Sequence, residues 1–446
     1  MITHLIDVSD ISLGEEYDGL DVSVVGGTPR DRYMSLLLGV DIESNDIDLV
    51  TTGVTPEDMK KRGFKHIMSN DTRKPVFIDS DRREVAVARS EQSSGDEHDA
   101  FEMDIISPDI PHKKAMMMDL ERRDLTINAI AVNIRNGEVY DPHNGREDIE
   151  NGIIRHVSEA FSDDPLRVVR AARYASRFGF EIAPETLDMM KKTSDKVRAI
   201  PDPRFGLELI KVFKQAESPR RFFDTLSNVG ALTKSYPEIA ALQRVPAGPP
   251  KYHKEGDAYE HTMRVVTSMY EQLGNNVNGL LAALFHDVGK PATSPDTLPH
   301  HYGHEGKGSD MAKGIHFKYE FVRERRGVID KAARSHMQLS ELSNVNTTTV
   351  LKYANMIQNS PLTVEEAVAL GKADAEGREP KGEFDIEETE KYLSMAISVN
   401  NDIGGIESLN ARGYTQEDVD DKIPGERVGN LISQDRAEEF RDRMNN

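Results

Sequence analysis

The chain has no cysteine among its 446 residues, which excludes disulfides and thiolate metal sites. It also lacks long apolar runs. The longest, such as Gly279 to Phe285, fall far short of a bilayer span, and no signal peptide is recognisable. A cytoplasmic chain with no membrane partner is therefore expected. Internal repeats and low-complexity tracts are missing as well. Positive charge is in deficit, with 56 Lys and Arg against 77 Asp and Glu for a formal net charge of −21. That balance argues at first sight against a nucleic-acid partner, because phosphate binding is driven by Lys and Arg releasing counterions. Net charge is an average, however. The segment after Pro380 holds a disproportionate share of the acids, whereas Leu166 to Arg221 is rich in Arg and Lys. If RNA binds, it should bind there.

A chain of this length with 37% hydrophobic content suffices for two to four packed domains. Residues 1–20 read as a polar addition ahead of the first strand. From there to about 135, short β-rich runs (VSVV, IDLV, PVFI, EVAVA, INAIAVNI) alternate with helical or polar stretches, the pattern of a small α/β domain with one sheet. Ser90 to Phe101, SEQSSGDEHDAF, has loop composition, and Tyr140 to Glu147 is dense in turn formers and reads as the exit from the sheet. The remainder is mostly helical. The Pro and Gly cluster at Val245 to Pro250 is the clearest linker.

The stretch from Val22 to Thr51 reads as strand, glycine turn, helix and second strand. Gly26 and Gly27 allow a backbone to pass close to a phosphate, Pro29 suits the first helical position, and Arg30 lies in the first turn. Asp46 and Asp48 stand two apart in a strand, so both carboxylates leave the same face. Paired carboxylates beside a phosphate cradle suit Mg²⁺-dependent nucleotidyl transfer, and a plain turn with two solvated acids is the equal alternative. In Glu121 to Asn128, ERRDLTIN, Arg123 and Asp124 fit either a grip on ribose and phosphate or a structural salt bridge. In DDPLRVVRAAR, Arg167, Arg170 and Arg173 recur every third position and form a cationic ridge opposite an apolar face, free to meet a ligand. An Asp and an Arg one turn apart, as this stretch offers, have the donors and acceptors to read adenine and cytosine, which both offer an amino group beside a ring acceptor, and to reject the other two bases. Further on, His261, the pair His286-Asp287 in LLAALFHDVGK, His300, His301, His304 and Asp374 supply imidazole and carboxylate. That set suits a divalent transition metal more than Mg²⁺, and a buried His-Asp pair needs a metal or a hydrogen-bonding network.

In this order the clusters resemble the class II CCA-adding tRNA nucleotidyltransferases, specifically the bacterial type with a C-terminal HD phosphohydrolase domain. GGTPRD matches GGxxRD, Asp46 and Asp48 match DxD, RRDLTINA matches RRDxTxNA, DDPLRVVRAAR matches EDPLRxxRxxR, and Arg204 with Glu208 in PRFGLE matches a later Arg-x-x-x-Glu element. The resemblance covers roughly residues 20–375. It implies an α+β fold: a nucleotidyltransferase head with a polymerase β-like sheet at 21–140, a helical neck and body at 141–245 carrying the template and RNA contacts, and a helical HD domain at 251–380. An N-terminal extension (1–20) and an acidic helical tail (381–446) have no assigned counterpart. By resemblance, Gly27 and Arg30 contact the triphosphate, Asp46 and Asp48 hold catalytic Mg²⁺, and Arg123 and Asp124 bind ribose and phosphates. Asp164 and Arg167 form the base-reading template, and Arg170 and Arg173 add nucleotide contacts. His261, His286, Asp287 and Asp374 match the HD metal ligands, with His304 available to a second metal.

The implied partners are the tRNA 3′ end, CTP and ATP. The implied activities are CCA addition with release of pyrophosphate, and metal-dependent phosphatase and 2′,3′-cyclic phosphodiesterase chemistry at the HD site. A poly(A) polymerase, or a CC- or A-adding enzyme, shares these motifs. A different class, an HD phosphohydrolase with a non-catalytic RNA-binding N-terminal half, is the further alternative. Two departures stand out: Pro29 where valine is common and Asp163 where glutamate is usual. Glu84, in EVAVA, reads as a surface carboxylate near the head acids.

Overall fold

A computed structural model describes residues 6–42, 47–67, 76–93, 101–339, 342, 345–403 and 425–445. The chain divides into two compact units, Met1–Ile200 with Asn228–Ala231 and Pro201–Ser227 with Leu232–Asn446. The expected linker at Val245–Pro250 lies inside the second.

In chain order the first unit contains β1 (Asp21–Val25), α1 (Gly27–Leu38), β2 (Asp48–Thr52), α2 (Pro56–Lys61), β3 (Lys65–His66), β4 (Val76–Ile78), β5 (Glu84–Val87), β6 (Arg89–Ser93), β7 (Phe101–Ile105), α3 (His112–Glu121), β8 (Ala131–Asn133), β9 (Val139–Tyr140), α4 (Gly145–Glu150), α5 (Leu166–Phe178) and α6 (Pro184–Thr193). Seven of the strands form one sheet in the order β3-β4-β5-β2-β1-β8-β9. The two central strands, β1 and β2, run antiparallel with Val25 opposite Asp48, and β5 joins β2 in parallel with Val85 beside Leu49. Their β-branched side chains suit a strand, and both strands are buried for nearly their whole length. Met116 and Leu120 of α3 pack on Val25, Val50 and Ala131 of the sheet.

Three expectations change. Of INAIAVNI only the last part is strand, since Thr126–Asn128 forms a 3₁₀ turn. The two ends of SEQSSGDEHDAF belong to an antiparallel pair, β6 with β7, despite their loop composition, because backbone pairing needs no apolar side chains. The region between them, 94–100, lies outside the described residues. Pro29 is the third residue of α1, not the first, and its missing N–H still costs nothing in the first turn. Glu84 is exposed, as read.

The N-terminal extension is part of this unit. Tyr17 is fully buried and donates its hydroxyl to Asp79 at 2.8 Å. Arg135 donates to the carbonyls of Tyr17 and Leu20 at 2.9 Å each, and Arg83 to that of Ser12 at 2.7 Å.

The second unit is helical: α7 (Asp202–Gln215), α8 (Pro219–Asn228), α9 (Leu232–Ser235), α10 (Pro237–Ala241), α11 (Ala258–Leu273), α12 (Val277–Phe285), α13 (His304–Lys318), α14 (Val328–Leu339), α15 (Thr347–Gln358), α16 (Val364–Gly377), α17 (Ile386–Asp402) and α18 (Gly425–Asn445). Its helix starts are capped by short polar side chains. Asp257 accepts from Glu260 N–H at the head of α11, and Thr363 with Glu366 forms a reciprocal capping box on α16. Helix α7 approaches the backbone after α13 so closely that a Cβ at Gly206 would lie 1.9 Å from the Tyr319 carbonyl oxygen, so only glycine fits.

The acidic tail is packed too. Phe440 of α18, 3% exposed, lies among Leu351 and Ile357 of α15 and Leu393 and Val399 of α17. Phe440→Ala should therefore destabilise this subcluster by roughly 3–5 kcal/mol. Hydrogen exchange on α15 and α17 would read the loss, and unchanged protection would mean that the tail packs without that anchor.

Candidate functional sites

The first site gathers at the end of β1. Gly26 has φ +73°, and a Cβ there would lie 3.3 Å from an Arg123 guanidinium nitrogen and 3.7 Å from an Asp48 carboxylate oxygen. Glycine is thus required twice, by a backbone conformation that side chains disfavour and by close approach. The antiparallel register puts Asp48 at this edge, opposite Val25. Asp46 lies outside the described residues.

Asp124 is the buried hinge of the site. It is 7% exposed, accepts from Leu125 N–H at 2.9 Å and Asn128 Nδ2 at 3.1 Å, and meets the Arg170 guanidinium at 2.7 Å. Burial pushes its carboxyl up, but Arg170, Asn128 and Arg167 outweigh burial and hold it well below the usual carboxylate range. Asn128 also takes a short hydrogen bond from Arg30.

Arg30 is 2% exposed. It pairs with Asp31 at 2.8 Å and lies 5.1 Å from the ring centres of both Tyr174 and Phe178. It sits behind the glycine turn, with a nitrogen 3.5 Å from where a Gly27 Cβ would be.

The arginine ridge of α5 differs from its expected solvent-facing form. Arg167 and Arg173 are buried. Arg167 donates to the carbonyls of Ala160 at 2.8 Å and Arg122 at 2.7 Å, and Arg173 lies 4.1 Å from the Tyr174 ring centre. Backbone carbonyls and an aromatic face satisfy the guanidinium groups, which are only weakly hydrated and tolerate such sites. Burial would raise the Tyr174 hydroxyl, yet Arg173, Arg170 and Arg30 outweigh it and bring it down to about 7. Asp164, just ahead of α5, accepts from the first helical N–H, that of Leu166, at 3.0 Å. Asn128 and Tyr174 escaped the sequence reading, although both lie within or beside the quoted motifs. Asp119 did too: it is fully buried and ties down Arg122 and Arg123 at 2.8 and 3.2 Å.

The second site lies in the helical unit. Arg204 is exposed and Glu208 buried, one turn apart on α7, and Glu208 accepts from Lys211 at 3.2 Å. The histidine cluster is elsewhere, between α11, α12, α13, α14 and α16. The apolar α12 stops at Phe285, so His286 and Asp287 stand at its end and not within it. Asp287 is 1% exposed. One of its oxygens lies 3.1 Å from His286 Nε2 and 2.6 Å from Lys290 Nζ; the other lies 3.3 Å from His304 Nε2 and 3.5 Å from His336 Nε2. None of these approaches gives either oxygen a partner in hydrogen-bonding geometry. His261 Nε2 faces Asp374 at 3.0 Å and His286 Nε2 at 3.4 Å. Arg378 holds the other Asp374 oxygen at 2.6 Å. His300 and His301 stand aside: His300 stacks on Tyr302, and His301 lies 2.8 Å from both Thr293 and the Pro246 carbonyl.

The ring partners reveal what this cluster is built for. Nδ1 of His286, His304 and His336 lies 2.8, 2.8 and 3.0 Å from the carbonyls of Ala283, His301 and Ala333. A carbonyl only accepts, so each Nδ1 carries a proton, and in the singly protonated ring the bare nitrogen is Nε2, which faces inward. Two such nitrogens, on His304 and His336, face each other at 3.1 Å. Facing lone pairs repel unless a cation lies between or beside them. The donor set therefore fits a metal ion, and the nitrogen-rich mixture with carboxylate suits transition metals. Three groups of candidate ligands converge among the described residues: His253, Glu255 and His261; His261, His286 and Asp287; and Asp287, His304 and His336. His336 was missed because it sits in RSHMQ, without a neighbouring acid to mark it.

The open sheet with its glycine turn and carboxylate, followed by a buried His-Asp cluster, defines a nucleotidyltransferase head joined to an HD domain. Family models agree: residues 22–155 match the poly A polymerase head domain, 179–243 the probable RNA and SrmB-binding site of polymerase A, and 258–375 the HD domain. A multifunctional CCA protein of Laribacter hongkongensis is 37% identical over 386 residues, 84% of this chain and 91% of that one. One of Pasteurella multocida is 32% identical over 434 residues, 94% of this chain and 98% of that one. The chain belongs to the multifunctional CCA protein family. Because the Pasteurella match omits only 6% of the chain, it reaches into the segment after Pro380, which therefore has a counterpart after all. Two CCA-adding enzymes share the fold at TM-score 0.57: that of Thermotoga maritima complexed with tRNA (19% identity, covering 96% of this chain and 89% of that chain) and that of Bacillus stearothermophilus with CTP (18%, covering 96% and 100%).

The Asp124–Arg170 pair, with its carboxylate buried and its guanidinium half-buried, carries a pH signature. A depressed carboxyl adds stability that is fully present above the unfolded value, about 3.9, and is lost as pH falls through the lower folded value. Asp124→Asn should cost roughly 3–5 kcal/mol at neutral pH, read by hydrogen exchange on α5. The gap to the parent chain should narrow only toward acid pH. A gap that is absent at pH 7 would show that the pair does not anchor α5.

Proposed function

We propose that the protein restores or completes the 3′-terminal CCA of tRNA from CTP and ATP, releasing pyrophosphate, and that its HD site is a metal-dependent phosphohydrolase. The observation that carries the first reading is the convergence of Asp48 and Arg123 on Gly26 within a chain of the multifunctional CCA family. Asp48, with Asp46, would hold Mg²⁺, which when bound neutralises the triphosphate and lowers the pKa of the attacking 3′-hydroxyl. Gly26 and Gly27 leave room for the phosphates beside backbone N–H groups. Arg123, steadied by Asp119, presents its guanidinium to them. Asp124 fixes Arg170, and with it the helix that carries Arg167 and follows Asp164, so the base-reading edge is held in place before any nucleotide arrives. Arg30 and Arg173 act by packing around Tyr174, behind the nucleotide. Acceleration then rests on positioning and charge neutralisation, with no covalent intermediate. Arg204 and Glu208 would serve the RNA-binding body.

The decisive measurement is single-nucleotide extension of tRNA transcripts ending at the discriminator base, at C and at CC. CTP should extend the first two, ATP only the third, and growth should stop at CCA. Long tails from ATP alone would make the protein a poly(A) polymerase. Asp48→Ala should abolish incorporation and spare phosphohydrolysis, and His286→Ala should do the reverse. Incorporation that survived Asp48→Ala would refute the head assignment.

At the HD site, His261, His286, Asp287 and Asp374 would bind one transition-metal ion, and His304 with His336 and the far oxygen of Asp287 a second. Stripped protein carrying Asp48→Ala, titrated with Co²⁺ and followed by visible absorption, should take up two ions per chain. His336→Ala should weaken the second about 10–100-fold and leave the first. A single ion in both proteins would exclude the paired site.

A further inference from the structure

One pocket of the helical unit is used by neither site. It measures about 440 Å³ and lies along the flank of α13 and α14, with the turn Arg323–Arg325 closing one end. That volume falls within the roughly 300–1,000 Å³ of small-molecule sites. Its walls carry Lys313, Arg325, Arg326 and Arg334 against Asp310 and Asp330, an excess of positive charge in a chain whose net charge is −21.

The excess is not cancelled by ion pairing. Asp330 is already committed to Arg334 at 3.1 Å, Lys331 at 3.2 Å and a short hydrogen bond from Ser309. Among the described residues Lys313, Arg325 and Arg326 come within ion-pair distance of no carboxylate. Arg325 Nε is shielded from solvent and has no hydrogen-bond partner there, which is costly unless something outside the chain supplies an acceptor. Beside these cations Phe317 is 56% exposed, an unusual place for a large aromatic side chain, and the Arg326 guanidinium lies 5.7 Å from its ring centre. The neighbouring His316 imidazolium is disfavoured, first by burial and then by Arg326.

Adjacent arginine forks, a lysine and an open aromatic plate together match one ligand chemistry. The guanidinium groups and the lysine suit phosphate oxygens, and an exposed ring beside them suits a heteroaromatic base. We propose that the α13/α14 pocket binds a phosphorylated nucleoside, its base against Phe317 and its phosphate held by Lys313, Arg325 and Arg326. The ligand is either a free nucleotide or one nucleotide of an RNA strand; both present the same groups. None of these residues belongs to the head or to the histidine cluster, so the inference stands apart from the activities proposed above.

Photo-crosslinking of the full chain with 8-azido-ATP and, separately, with a 4-thiouridine RNA pentamer, followed by peptide mapping, tests this directly. Label should appear on peptides within residues 309–334 in at least one arm. Labelling by the azido nucleotide identifies a free nucleotide as a ligand, and labelling by the pentamer alone identifies an RNA strand. The double variant R325Q/R326Q, and separately Phe317→Ala, should lower that label at least tenfold while CTP incorporation stays at the parental rate, which shows that the chain is folded. Label confined to peptides outside 309–334 in both arms, or label there that both variants leave unchanged, overturns the proposal.

Discussion

A carboxylate buried against guanidinium is the constraint on which the first unit depends. Asp124 is nearly shut off from water, and Arg170 and Asn128 favour its charged form against burial. Desolvating such a pair costs nearly as much as their attraction returns, and more if either partner is removed. The pair is therefore a poor source of stability and a strong source of position. It joins the 3₁₀ turn after α3, which carries Asn128 and so steadies Arg30, to α5, which carries the arginines and Tyr174. A displacement at this joint would move the glycine turn relative to α5. Asp119 repeats the device one turn earlier, holding Arg122 and Arg123 from a fully buried position.

The histidine cluster follows the opposite logic. Its ligand atoms are left converging, with Nε2 atoms directed at one another and Asp287 oxygens out of hydrogen-bonding geometry. The orientation comes from the backbone: three carbonyls take the Nδ1 protons and so set which nitrogen faces inward. Lys290 adds a fixed positive charge, anchored on the Ala247 carbonyl at 2.7 Å. The Val245–Pro250 segment that reads as a linker thus helps to seat the Asp287 counter-charge.

How much of this was legible depended on whether a residue's signal was local. GGTPRD, the DxD pair and LLAALFHD each concentrate their chemistry within a few positions, so they could be singled out locally, although composition and spacing left the glycine turn and DxD pair with a plain structural alternative. The ridge Arg167, Arg170 and Arg173 was visible as a pattern, but its exposure was not. Spacing shows that three side chains share a strip of helix surface, and only tertiary packing decides whether that strip meets water, carbonyls or an aromatic ring. His336 is the converse. Its partner lies 49 positions away at Asp287, and nothing nearby distinguishes it from a core histidine. The N-terminal extension read as an appendage because its anchoring is mostly backbone carbonyls accepting from distant arginines, a relation without any sequence periodicity.

The same distinction explains why a net charge of −21 misleads. Field strength at a site depends on charges within about a Debye length, some 8–10 Å in physiological salt, so a sum over the whole chain does not describe the surroundings of the arginines on α5. What matters is the local ledger. In α5 the arginines outweigh burial strongly enough to bring a buried tyrosine hydroxyl down to about 7, a result that no average over 446 residues anticipates. Acidic surface elsewhere would then repel polyanions from every face except those where cations are held without carboxylate partners. A chain of this kind can select where a polyanion docks by exclusion as much as by attraction.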